Sequence, residues 1–141
     1  MEDSVEIMWV IQRILFPIDL DSNTKMGIQF ACSMAKSHNA KLYLLHVHDE
    51  AFGPNEITLL TENLQREIDR AGYKDIEKDL TLLPGEVVSG ICSVAEAIEG
   101  DLIIMPTHGR DGFSRLVLGS VTEEVLRNAP CPVLALRHQK S

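Results

Sequence analysis

Along this chain the spacing of apolar side chains switches repeatedly between the near-continuous run of a buried strand and the three-to-four-residue recurrence of a helix. From Arg13 to Ile18, the residues Ile14, Leu15, Phe16 and Ile18 form such a run, which predicts a first strand covered on both faces. From Ser22 to about His38 the period becomes helical, with Gly27, Phe30, Ala31, Met34 and Ala35 on one side. Asp21 or Ser22 is the expected N-cap, and Asn39 the expected left-handed stop. Leu42 to Val47 predicts a second apolar strand. Gly53-Pro54 then opens a helix on which Ile57, Leu60, Leu64, Ile68 and Ala71 share a face before Gly72 ends it.

The third strand, expected near Ile76 to Leu83, alternates charged and apolar residues (Glu77, Lys78, Asp79, Leu80) as the edge of a sheet does. After Pro84-Gly85 a third helix turns Val87, Val88, Ile91, Ala95 and Ile98 inward, with Gly100 as its expected stop. Leu102 to Met105 reads as a fourth buried strand. A glycine-containing loop then leads to a fourth helix from Ser120 to about Asn128 and a last strand from Val133 to Leu136. Strands alternating strictly with helices predict an α/β fold, a parallel sheet with helices on both faces. No repeat or linker divides the 141 residues, so one domain is expected, with residues 1–8 as a flexible acidic appendage.

Composition narrows the function. A formal net charge of -8 repels phosphate backbones, so nucleic acid is not an expected partner. Acidic residues stand at the N-terminus where a signal peptide carries basic ones, and no apolar run approaches the roughly 20 residues of a membrane span. No export, no membrane anchoring and a cytoplasmic home are expected. Cys32, Cys92 and Cys131 form an odd set without C-x-x-C spacing and sit among small or apolar neighbours, as buried thiols do. His46 and His48 share one strand face, but no third ligand has a readable spacing; they read as structural histidines, and no metal is expected.

No G-x-x-x-x-G-K-[ST] occurs, and no G-x-G-x-x-G follows the first strand. The chemistry-bearing stretch runs from Met105 to Glu123. Its end places Gly119, Ser120, Val121 and Thr122 at a helix start, where amide N–H groups and the positive end of the dipole favour an anion. The same residues admit a second reading, since Ser120-x-x-Glu123 also spells a capping box that would satisfy those amides internally. His108 reads as a loop hydrogen-bonding residue, while Arg110 and Arg115 read equally as phosphate partners or as solvated cations.

The stretch resembles the signature loop of nucleotide-binding universal stress proteins, G-x-x-G, nine residues, then G-[ST]. Gly109, residues 110–118 and Gly119-Ser120 fit, while the first glycine of the pattern falls on Pro106. Similarity continues through Phe16-Pro17-Ile18-Asp19, Leu44-Leu45-His46-Val47 and Ala129-Pro130-Cys131-Pro132-Val133-Leu134. The resemblance implies a Rossmann-like sheet of the adenine nucleotide alpha hydrolase type, order 3-2-1-4-5, with the ligand crevice where the ends of strands one and four adjoin. It implies that Asp19 and Leu42 flank adenine and ribose, that Met105 and Pro106 pack nearby, and that Gly109 lines the loop. Gly119, Ser120, Val121 and Thr122 would hold the phosphates of ATP or a related adenine nucleotide, with or without magnesium. It further implies a homodimer joined along the strand near Val133 to Leu136, an unidentified protein partner, and at most weak ATP hydrolysis. Proline at 106 has no N–H to donate, which keeps a second outcome open: a branch of the family acting as a structural or interaction dimer without nucleotide.

Overall fold

The computed structural model describes residues 8–18, 24–48, 53–106 and 119–137. The elements are β1 (Arg13–Pro17), α1 (Thr24–His38), β2 (Lys41–His48), α2 (Pro54–Arg70), β3 (Lys78–Pro84), α3 (Val87–Ala97), β4 (Leu102–Pro106), α4 (Ser120–Asn128) and β5 (Val133–Leu136). All strands pair in parallel, in the order β3-β2-β1-β4-β5. The expected α/β class and strand order are therefore observed.

Continuous apolar strands are explained by what lies on either side of them. Ile14, Phe16, Leu42, Leu44, Leu102 and Ile104 face one way, into a core completed by α1 and α2. Leu15, Leu45, Ile103 and Met105 face the other way, against Ile91 and Ala95 of α3 and Val125 of α4. A strand clothed on both faces favours apolar residues at successive positions. β3, at the edge, keeps its alternation, and its exposed Asp79 holds Lys41 of β2 at 2.8 Å.

α1, α2 and α3 end with a common geometry. Asn39, Gly72 and Glu99 adopt positive φ of 53°, 89° and 55°. After each helix the next amide reaches back five residues, Ala40 to Ala35, Tyr73 to Ile68 and Gly100 to Ala95, at 2.8, 3.1 and 2.9 Å. This 6→1 closure satisfies carbonyls that a helix end otherwise leaves open. Asn39 and Gly72 behave as expected. Glycine 100 does not: α3 stops earlier, and Glu99 occupies the left-handed position. The closure is set by where the last turn ends, which shifts the special backbone one residue ahead of the glycine.

At the same end of the sheet, Asp101 Oδ2 accepts the amides of Gln12 and Arg13 at 2.8 and 2.9 Å, and its own amide donates to the Arg13 carbonyl at 2.8 Å. This clasp sets the entry of β1 beside β4. The N-cap expected at Asp21 or Ser22 lies outside the described residues, as do residues 1–7. Met8 and Trp9, which follow them, are largely exposed. Among the described residues no helix is long and apolar enough to cross a membrane.

Candidate functional site

Parallel strands deliver all their C-terminal ends to one side of the sheet, and a crevice opens where the order reverses. Here that point lies between β1 and β4, and a cavity of about 320 Å³ opens there. Pro17 and Ile18 end β1 against it, Leu45, His46 and Val47 come from the end of β2, and Met105 and Pro106 from the end of β4. Val87 and Ile91 of α3 supply a further apolar wall, and the start of α4, from Gly119 to Thr122, lines the cavity as well.

The two helix starts near this cavity differ in their chemistry. At α3 the Glu86 carboxylate accepts the amides of Val88 and Ser89 at 2.8 and 3.1 Å. Those backbone bonds hold its carboxyl below the ordinary value of 4.5, and they occupy the site where an external anion would sit. At α4 the N-cap is Gly119, extended at φ -62° and ψ 155°, with no side-chain cap. The first intrahelical bond runs from Glu123 N–H to the Gly119 carbonyl at 3.0 Å. The four amides from Gly119 to Thr122 precede that bond and have no carbonyl within the helix.

The capping-box reading of Ser120 and Glu123 is thereby overturned. A box requires serine at the extended N-cap and glutamate at N3, whereas Ser120 is already the first helical residue and Glu123 falls one place too late. Gly119 takes the extended position instead, and it brings no side chain to cap the amides that follow it. Thr122, 3% exposed, sits between that cavity and the core contact of Val125.

Of the residues singled out from sequence, Met105, Pro106, Gly119, Ser120, Val121 and Thr122 are brought together here. Asp19 and Gly109 lie outside the described residues, as do His108, Arg110 and Arg115. Leu42 is placed elsewhere: it is the second residue of β2, fully buried beside Ile14 and paired with Lys78. It belongs to the core at the entry side of the sheet, and the cavity takes Leu45, His46 and Val47 from the exit side. The signal that finds them is the rule that parallel strands carry ligand residues at their last positions.

The three cysteines lie apart from this site. Cys32, on α1, is buried in the core as expected, and desolvation pushes its thiol up to about 11; Cys92 and Cys131 are only half-buried, contrary to expectation, and that partial burial also raises theirs. Among the described residues no group of three His, Cys, Asp or Glu is placed to hold a metal ion. The His46 and His48 rings instead stack on each other, with centroids 6.1 Å apart.

Comparison with known proteins bears on this architecture. The family model described as "Universal stress protein family" matches residues 11–137. A universal stress protein of Methanocaldococcus jannaschii is 32% identical, over 92% of this chain and 84% of that protein. A universal stress protein solved in complex with cAMP has a TM-score of 0.71 at 20% identity, covering 92% of this chain and 99% of that one. The universal stress protein of Archaeoglobus fulgidus in complex with dAMP gives a TM-score of 0.66 at 19% identity, covering 89% and 98%. With the sheet order, the switch-point cavity and a match from residue 11 to residue 137 in agreement, the chain belongs to the universal stress protein family.

Proposed function

We propose that this protein binds an adenine nucleotide, ATP or a close relative, at the switch-point cavity, and acts in the cytoplasm as a homodimeric regulatory module of the stress response. The observation that carries the reading is the start of α4, where Gly119 brings no side-chain cap to the amides of Gly119 to Thr122, at the wall of a largely apolar crevice. Such a crevice suits a ligand with one flat apolar end and one anionic end, and a nucleotide has that form. Ile18, Val47 and Met105 would pack the base, Pro106 would lie near the ribose, and Gly119, Ser120, Val121 and Thr122 would receive phosphate oxygens. Asp19 and Gly109 would complete the ribose contacts and the loop. Solved family members in complex with cAMP and dAMP support an adenine ligand. Any hydrolysis would be slow, and an unidentified protein would read the ligand state.

Calorimetric titration with ATP, AMP and cyclic AMP tests this reading, together with the mass of any nucleotide that accompanies the purified protein. Saturation by at least one of the three is expected. A ligand at one hundred times its Kd stabilises the fold by about 2.7 kcal/mol, so a melting temperature unmoved by millimolar ATP with magnesium, by AMP and by cyclic AMP alike overturns the reading.

The reading of a structural dimer without nucleotide is favoured by one observation, Pro106 in the cavity wall. The proline leaves that wall one N–H donor short. Pro106→Gly is expected to tighten nucleotide binding severalfold. Unchanged affinity in the variant shows that the proline costs nothing, and absence of binding in both proteins favours the structural dimer.

A further inference from the structure

We propose that His46 is a positioning residue of the cavity, and that its imidazole fixes Ile18, at the exit of β1, in the wall that receives adenosine; this rests on the nucleotide reading above. The β1–β2 ladder ends at the pair Pro17 and Leu45, and the β1–β4 pairing ends sooner, at Leu15 and Ile103. Ile18 therefore lies beyond the last rung on both sides. Its amide still reaches the Leu45 carbonyl at 2.7 Å. Its carbonyl is met by a side chain: His46 Nδ1 stands 3.1 Å from the Ile18 oxygen. A carbonyl oxygen only accepts, so Nδ1 carries the hydrogen and donates it.

Both members of this contact line the cavity, and His46 is only 9% exposed, so water competes weakly for the bond. Stacking on His48, with ring planes 21° apart, restricts the imidazole further. The Ile18 carbonyl is half of the planar peptide through which the chain continues to Asp19. Holding that oxygen fixes the peptide plane at Ile18, a residue that lines the crevice. A contact between residues 28 apart in sequence thus does what sheet pairing does for the rest of β1.

The test compares His46→Leu, His46→Asn and His46→Gln, each shown to be folded by urea denaturation and titrated with adenosine and with inorganic pyrophosphate by ligand-observed NMR. Asparagine places an amide N–H near the position of Nδ1, glutamine near that of Nε2. Loss of this single bond is expected to weaken adenosine binding about tenfold in His46→Leu. Pyrophosphate binding, which depends on the start of α4, is expected to stay as in the wild type. His46→Asn is expected to recover most of the adenosine affinity, and His46→Gln to resemble the leucine variant. If His46→Leu does not fold, the contrast between asparagine and glutamine carries the test.

Adenosine affinity unchanged in His46→Leu overturns the proposal, as does parallel loss of both ligands, or asparagine performing no better than glutamine. Wild-type protein that binds neither adenosine nor AMP removes the nucleotide reading itself, and this inference with it. Wild-type binding with indifferent variants removes only this inference.

Discussion

Single atoms set limits on how closely this molecule packs. A β-carbon built on Gly27 would stand 2.8 Å from Cζ of Phe16, a ring that is fully enclosed in the core. α1 approaches β1 this closely because residue 27 has no side chain. Gly27→Ala is expected to cost about 1–3 kcal/mol through overpacking, read as a lower urea midpoint with an unchanged slope. Glu99 presents the opposite case, an L-residue held at φ 55° where glycine is at ease. Glu99→Gly is expected to raise stability by about 0.5–1 kcal/mol. A midpoint that falls instead would show that the glutamate side chain contributes more than the backbone conformation costs.

Helix starts divide the work around the cavity, since Glu86 closes α3 and Gly119 leaves α4 open. Because the Glu86 carboxyl is held below 4.5, the cap contributes stability that is fully present above that ordinary value. The contribution is lost as pH falls through the lowered folded-state value. Wild type is therefore expected to melt above Glu86→Gln at neutral pH, with the gap closing as pH falls below 4.5. Thermal melts across pH check this, and a gap that does not depend on pH would mean that the amide caps α3 as well as the carboxylate does.

The sheet as a whole has two unlike edges. β3 is decorated with the charged Asp79 and Lys78, whereas β5 presents Val133, Leu134, Ala135 and Leu136, all partly exposed. An apolar edge strand invites a second strand. A homodimer through β5 is the expected assembly, checked by light scattering at micromolar concentration as twice the 15.7 kDa chain mass. A monomer mass would overturn it.

Much of this was legible before any coordinates, because strands and helices write their burial into local periodicity. The apolar runs at Ile14 to Phe16 and Leu102 to Met105 state that both faces are covered, and the bounds Ser120–Asn128 and Val133–Leu136 agree with the observed α4 and β5. Strand order is another matter. Periodicity is compatible with many parallel arrangements, and resemblance to a known loop is what pointed to 3-2-1-4-5. Legibility also failed at Leu42, at Gly100 and at the Ser120 capping box, for related reasons. Which end of a strand reaches a ligand, which residue closes a helix and which one caps it depend on where the backbone turns, and a residue type does not record that. Contacts such as Nδ1 of His46 with the Ile18 carbonyl exist because β1 and β2 lie side by side. The amino-acid order specifies the pieces and their buried faces through short-range sterics and hydrophobicity; the site arises from long-range pairing that brings the ends of three strands and the starts of two helices around one cavity.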